Sequence, residues 1–146
     1  NTFFFAKKKH WKTKLSMFMA RKNNIILMDI NKNVRESLQE MCVVLRKGKN
    51  IVIFPEGTRA KNNNLSKFKE TFAILSKELN IPVVPVVING SERAVYHNIR
   101  VPLPRFMAKI NVDVLKPIYP SEEQTAEKLR DKVVNSIKKH LGKQEK

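Results

Sequence analysis

The sequence predicts an α/β fold, a layered and largely parallel central sheet flanked by helices. Short apolar runs alternate with longer stretches of helical period, the arrangement of parallel strands joined by helices. The run Ile51–Phe54 is apolar throughout, as a strand buried on both faces requires. Polar and charged residues stand where the runs end, at Asp29, Glu56, Gly57, Thr58, Arg59 and Asn89. In open α/β sheets ligands bind outside the carboxyl ends of the strands. The length of 146 residues suits one domain with a core, and no repeat or linker divides the chain, so a single domain over 1–146 is expected.

The elements follow in order. Thr2–Ala6 reads as a short buried strand. The next stretch carries Lys7, Lys8, Lys9, Lys12, Lys14, Arg21 and Lys22, and no acidic residue occurs in the first 22 positions. Within it Trp11, Leu15, Phe18 and Met19 recur at helical spacing. An aromatic-rich face beside a lysine-rich one fits a helix lying in a membrane interface, and equally a surface helix packed on the core. Lys8, Lys9, Trp11 and Lys12 are the candidate membrane-facing residues.

Ile25–Met28 forms the second strand, with Asp29 at its tip. Asn33 to Glu36 offers a helix cap, and Val34, Leu38, Met41, Cys42 and Leu45 make one apolar stripe. Arg46, Lys47 and Gly48 suit that helix's end, and Cys42 on the stripe reads as core. After the strand Ile51–Phe54 and a polar loop at 61–64, Ser66 is positioned to cap a helix. Phe68, Phe72, Leu75 and Leu79 give that helix its apolar face, and Asn80 ends it. Val83–Ile88 is a strand with Pro85 breaking its pairing, closed by Asn89-Gly90. The stretch 91–104 reads only as a short helix and an extended loop. Lys109–Leu115 alternates as an edge strand. Ser121 to Gln124 resembles a capping box before a last helix with Leu129, Val133, Val134, Ile137 and Leu141 on one face. Gly142–Lys146 is expected to fray.

The formal net charge of +16 demands anionic partners: nucleic acid, an anionic membrane surface, or phosphorylated and CoA-type substrates. No nucleotide loop, RNA-recognition signature, zinc-finger spacing or helix-turn-helix supports nucleic acid, which is not expected as a partner. One cysteine excludes an internal disulfide and suits a reducing cytosol. No apolar run is long enough to span a bilayer. The chain opens almost inside a strand and without Met, which predicts a piece of a longer polypeptide.

The chemistry concentrates at Ile51–Arg59. Pro55 ends the strand because it has no N–H to donate. Gly57 permits a tight turn and close approach of backbone N–H groups to a ligand. Arg59 supplies a planar fork of donors matched to phosphate or carboxylate. Glu56 can take a ligand hydroxyl or hold Arg59. The plain alternative is a charged turn with a surface Glu–Arg pair.

Phe54-Pro55-Glu56-Gly57-Thr58-Arg59 resembles the phosphate-binding block of the glycerolipid acyltransferases, the lysophosphatidic-acid acyltransferase family. The resemblance covers nearly the whole chain. Phe5-Ala6-Lys7-Lys8 is similar to the strand–helix start that follows the family's catalytic segment. Asn24–Ile30 is similar to the block that holds the acceptor's glycerol phosphate, with Ile30 where the family has Arg, and implies an acceptor-binding role for Asp29. Ile81 to Val86 is similar to the fourth block, on the acyl-donor or structural side. The stretch Ile25–Leu79 looks most like acyltransferase domains fused behind a long-chain acyl-CoA or acyl-ACP synthetase.

The resemblance implies transfer of a fatty acyl group from acyl-CoA or acyl-ACP to a lysophospholipid or glycerol phosphate, without a cofactor, by a cytoplasmic enzyme peripheral at the membrane. It implies that Glu56, Gly57, Thr58 and Arg59 bind the substrate phosphate. The family's first block is His-x-x-x-x-Asp, whose His acts as general base and whose Asp orients it. Five residues after His10, His97 and His140 stand Leu15, Pro102 and Glu145, so no catalytic pair is read here. The pair is expected upstream of Asn1, which makes this a truncated domain, inactive alone. His10 reads as solvated or interfacial, His97 as an exposed loop residue with access to substrate, and His140 as a helix-end residue. No metal-ligand spacing occurs. The alternative function is a noncatalytic module that binds anionic phospholipid and recruits a larger enzyme.

Overall fold

The computed structural model describes residues 1–7, 13–28, 34–57, 65–91 and 109–144. The chain forms two compact units, Asn1–Ile81 and Pro82–Lys146.

The first unit holds β1 (Thr2–Lys7), α1 (Lys14–Lys22), β2 (Ile25–Met28), α2 (Val34–Arg46), β3 (Asn50–Val52) and α3 (Thr71–Leu79). Its three strands make a parallel sheet in the order β2-β1-β3. β1 is central, with Lys7 opposite Met28 on one side and Phe4 opposite Val52 on the other. A parallel pair needs a crossover, and α1 and α2 supply the helical chain between successive strands. The expected strand–helix alternation is therefore present in this unit.

Local chemistry ends each helix. After α1, Asn23 donates from its side-chain amide to the Met19 carbonyl at 2.8 Å, and Asn24 turns the chain with φ of 54°. After α2, the Gly48 N–H bonds the Leu45 carbonyl at 2.9 Å, as the sequence predicts. After α3, Asn80 is left-handed, and Ser76 ties the exit down twice. Its carbonyl accepts the Ile81 N–H at 3.0 Å and its hydroxyl donates to the Ile81 carbonyl at 2.5 Å. Ser76 is thus a buried polar side chain with its hydrogen bond made.

Met41 of α2 and Phe72, Ala73 and Leu75 of α3 are buried, together with Phe68 ahead of α3. α2 packs against α3. Phe68 and Phe72 meet edge to face with ring centroids 6.4 Å apart. Cys42 is only partly buried. Three expectations change. Phe4 is partly exposed, so β1 is not wholly buried. β3 stops at Val52, where its pairing with β1 ends, and Phe54 stands 63% exposed instead of buried. Ser66 does not cap α3, which begins at Thr71 after Glu70 with no side-chain cap.

The second unit holds β4 (Val86–Asn89), β5 (Asn111–Val114) and α4 (Ala126–Gln144). β4 and β5 pair antiparallel, with Val86 opposite Val114 and Asn89 opposite Asn111. Asn89 therefore ends a strand of a separate sheet, not one of the parallel set. Pro85 interrupts the strand as expected: Val83 makes an isolated bridge to Ile118, and the Pro85 carbonyl accepts the Leu115 N–H at 2.9 Å. Gly90 follows with φ of 85°, and a Cβ there would run into the Lys109 carbonyl oxygen, so only glycine fits.

Leu129, Val133 and Ile137 of α4 are buried as their spacing predicts. The cap differs. Thr125 Oγ1 accepts the Lys128 N–H at 3.2 Å, while Ser121 closes a turn through its carbonyl and Gln124. α4 continues helical through Gly142 to Gln144, past the point expected to fray. On β5 Val112 and Val114 are exposed, with Val86 and Ile88 opposite them, and Asp113 is half-buried.

Candidate functional site

Parallel strands deliver their carboxyl ends to one edge of the sheet. β1 and β2 finish abreast at Lys7 and Met28. β3 leaves the sheet after Val52 and reaches a tight turn at Phe54–Gly57. The Gly57 N–H donates to the Phe54 carbonyl at 3.1 Å. Proline in the second position of such a turn has its φ already set, and glycine in the fourth accepts the left-handed φ of 64°.

The segment leading into α3 is fastened to this turn at two points. The Lys69 N–H donates to the Pro55 carbonyl at 3.0 Å. The Ser66 N–H donates to Glu56 Oε2 at 3.0 Å. An N–H to carboxylate bond is charge-assisted and stronger than a neutral one. Gly57 also gives room to a neighbour: the Cε and Nζ of Lys69 lie 3.3 Å from the position a Cβ would take there. The strand tip therefore combines a left-handed turn, a carboxylate committed to the backbone, and a lysine ammonium folded over the glycine.

Of the residues predicted from sequence, Glu56 and Gly57 lie at this turn. Glu56 binds Ser66, a partner the sequence did not suggest because it lies ten positions away. Thr58 and Arg59 come next in the chain, and Asp29 follows the last residue of β2, but all three lie outside the described residues. So do Lys8, Lys9, Trp11, Lys12, His10 and His97. Lys69 carries no motif, and only the fold brings it to the turn.

α1 presents Met17, Phe18 and Met19 to solvent, with Phe18 58% exposed. Lys22 Nζ stands 5.5 Å from the Phe18 ring centroid, a cation–π contact. The apolar side of α1 at Phe18 and Met19 is thus not covered by core. In the second unit His140 Nε2 lies 3.2 Å from Asp113 Oδ2. His140, expected as a helix-end residue, is set beside Asp113 by the packing of α4 with β5. Among the described residues no group of three His, Cys, Asp or Glu side chains could hold a metal ion. Among them, too, no helix is long and apolar enough to cross a membrane.

The acyltransferase family model matches residues 1–89. A 1-acyl-sn-glycerol-3-phosphate acyltransferase of Cocos nucifera is 38% identical over 60 residues, 40% of this chain and 20% of the relative. A chloroplastic 1-acyl-sn-glycerol-3-phosphate acyltransferase of Brassica napus is 27% identical over 111 residues, 70% of this chain and 29% of the relative. The chain thus spans less than a third of either relative. The crystal structure of the 1-acyl-sn-glycerophosphate (LPA) acyltransferase PlsC from Thermotoga maritima matches with a TM-score of 0.72 and 22% identity, over 99% of this chain and 57% of that one.

Proposed function

The chain belongs to the acyltransferase family, and from that premise we propose that it binds the phosphate of the acceptor in acyl transfer from acyl-CoA or acyl-ACP to a lysophospholipid or glycerol phosphate. The observation that carries this reading is the turn Phe54–Gly57 at the carboxyl edge of the parallel sheet, inside the family match. Its glycine is left-handed, and its carboxylate is held by backbone, so the turn keeps one shape before any ligand arrives. Arg59, two residues on, supplies the fork for the phosphate, with Gly57 and Thr58 lining the approach. Asp29, following β2, contacts the glycerol portion.

In the reaction the acceptor hydroxyl attacks the thioester carbonyl. A C–O bond forms, the C–S bond breaks, and the hydroxyl proton is taken by a general base and passed to the leaving thiolate. No His in these 146 residues has Asp five positions on, so we assign the base to a His–Asp pair outside them. The exposed Met17, Phe18 and Met19 beside Lys14 and Lys22 support contact of α1 with an anionic membrane surface, where a lysophospholipid acceptor resides.

The test is an acyl-transfer assay on two lengths of the protein, these 146 residues and a form extended upstream through the family's first block. Each is given acyl-CoA and a panel of lysophospholipids. Turnover by the extended form alone is expected. Arg59→Ala in it should raise the acceptor KM about ten- to hundred-fold, the cost of a charge-assisted pair. Turnover by the shorter form removes the assignment of the base. No turnover by either, with both binding anionic liposomes, favours a noncatalytic membrane-recruiting module instead.

A further inference from the structure

We propose that Lys69, set against the Gly57 turn, is a second cationic contact for the acceptor's phosphate in addition to Arg59; this rests on the phosphate-site reading above. Lys69 is not adjacent to the motif in sequence and carries no motif of its own. Its backbone is nevertheless bonded to the turn, N–H to the Pro55 carbonyl at 3.0 Å. Its side chain does not lead away from that anchor. It folds back so that Cε and Nζ occupy the space beside Gly57 that any other residue's Cβ would crowd. The absence of a side chain at Gly57 thus has a use beyond the turn: it leaves room for an ammonium beside the turn.

Among the described residues no carboxylate neutralises this charge. Glu56, the nearest carboxylate in the turn, accepts from the Ser66 N–H, and no described carboxylate lies within ion-pair distance of Lys69. A lysine ammonium is a compact point charge with three donors, suited to a phosphate oxygen that an arginine fork leaves unsatisfied. A phosphate monoester carries close to two negative charges at neutral pH, so one cation does not balance it. Lys69 adds a second positive charge to that of Arg59, two residues after Gly57 in the chain, and two cations match that charge. The neighbouring Lys67 is exposed like Lys69, but the atoms nearest the Gly57 Cβ position are those of Lys69, so Lys67 serves as a control.

The experiment uses the full-length protein with acyl-CoA saturating, and compares lysophosphatidic acid with uncharged monoacylglycerol as acceptor. The variants are Lys69→Met, Lys69→Arg, Lys67→Met and Arg59→Ala. Lys69→Met, which keeps the length of the stem, should raise the KM for lysophosphatidic acid about ten-fold, the loss of one charge-assisted contact. It should leave the KM for monoacylglycerol unchanged, Lys69→Arg should recover most of the loss, and Lys67→Met should do nothing. A merely structural role would shift both acceptors alike and overturns the proposal. A KM for lysophosphatidic acid within two-fold of wild type in Lys69→Met, with Arg59→Ala still impaired, overturns the role of Lys69 and leaves the phosphate site standing. Both variants unchanged would overturn the phosphate site itself.

Discussion

Glu56 accepts a hydrogen bond from the Ser66 N–H at 3.0 Å, joining two residues ten positions apart at the end of β3. With the bond from Lys69 to Pro55 it forms a double tie between the turn and the segment before α3. The carboxylate of the motif is therefore a brace for the turn's shape. That separates its role from the one proposed for Arg59, which is to meet the ligand.

Glu56→Ala should release that brace. The Ser66 amide should exchange with solvent roughly ten-fold faster or more, since a charge-assisted bond contributes about 1.5–3 kcal/mol. Glu56→Gln keeps an acceptor oxygen and should retain part of the protection. Hydrogen exchange followed by NMR reads both, with the Lys69 amide as the internal comparison. Equal Ser66 exchange in wild type and Glu56→Ala would show that the brace contributes nothing.

Gly57→Ala meets two obstacles. An L-residue at φ of 64° costs about 1–2 kcal/mol, and its Cβ would press on Lys69. The expected outcome is a lower denaturation midpoint and a weakened affinity for glycerol 3-phosphate, measured by calorimetry. Lys69→Ala in the same background should relieve the crowding and recover part of the stability but none of the affinity. A Gly57→Ala protein as stable as wild type would contradict the turn described.

Ser76→Ala removes the hydroxyl that serves the Ile81 carbonyl inside the first unit. Loss of a buried hydrogen bond of this kind costs about 1–3 kcal/mol. Urea unfolding should show a lower midpoint, and acyl-transfer KM values should not move, since Ser76 lies in the last turn of α3 and not at the turn after β3. A change in KM without a change in stability would point to a role this geometry does not give it.

Asp113 and His140 form a partly exposed pair, so its contribution is screened by water. Asp113→Asn, His140→Gln and the double variant should give a coupling of about 0.2–1 kcal/mol in a double-mutant cycle. Neither single variant should affect acyl transfer by the full-length protein. Loss of turnover in both singles would instead make the pair a catalytic dyad assembled by the fold.

The parallel unit was legible because its signals are local. Apolar runs such as Ile25–Met28 and the stripe through Met41 need only their own periodicity to declare a strand or a helix. The motif at Glu56 and Gly57 was legible as a turn because proline and glycine restrict φ by themselves. The caps were less so. Ser66 and Ser121 have the right side chains for capping, but Ser66 gives its N–H to Glu56 and Ser121 closes a turn, leaving the cap of α4 to Thr125. Several hydroxyls near a helix start compete, and the winner depends on the path of the incoming chain. On β5 the alternation is legible but not its sense: the valines at 112 and 114 are the exposed ones, and period alone does not say which face is covered.

Legible from the residues alone were the α/β class, a strand in the run before Pro55, the glycine turn and the family. Each of these resides in residue types a few positions apart, where backbone sterics and hydrophobic period act directly. Folding alone brings Glu56 to Ser66 and Lys69 over Gly57, leaves Phe18 in solvent, and sets Asp113 against His140. These are contacts between elements or across a loop. Their distances follow from how the chain returns upon itself, which no local preference encodes.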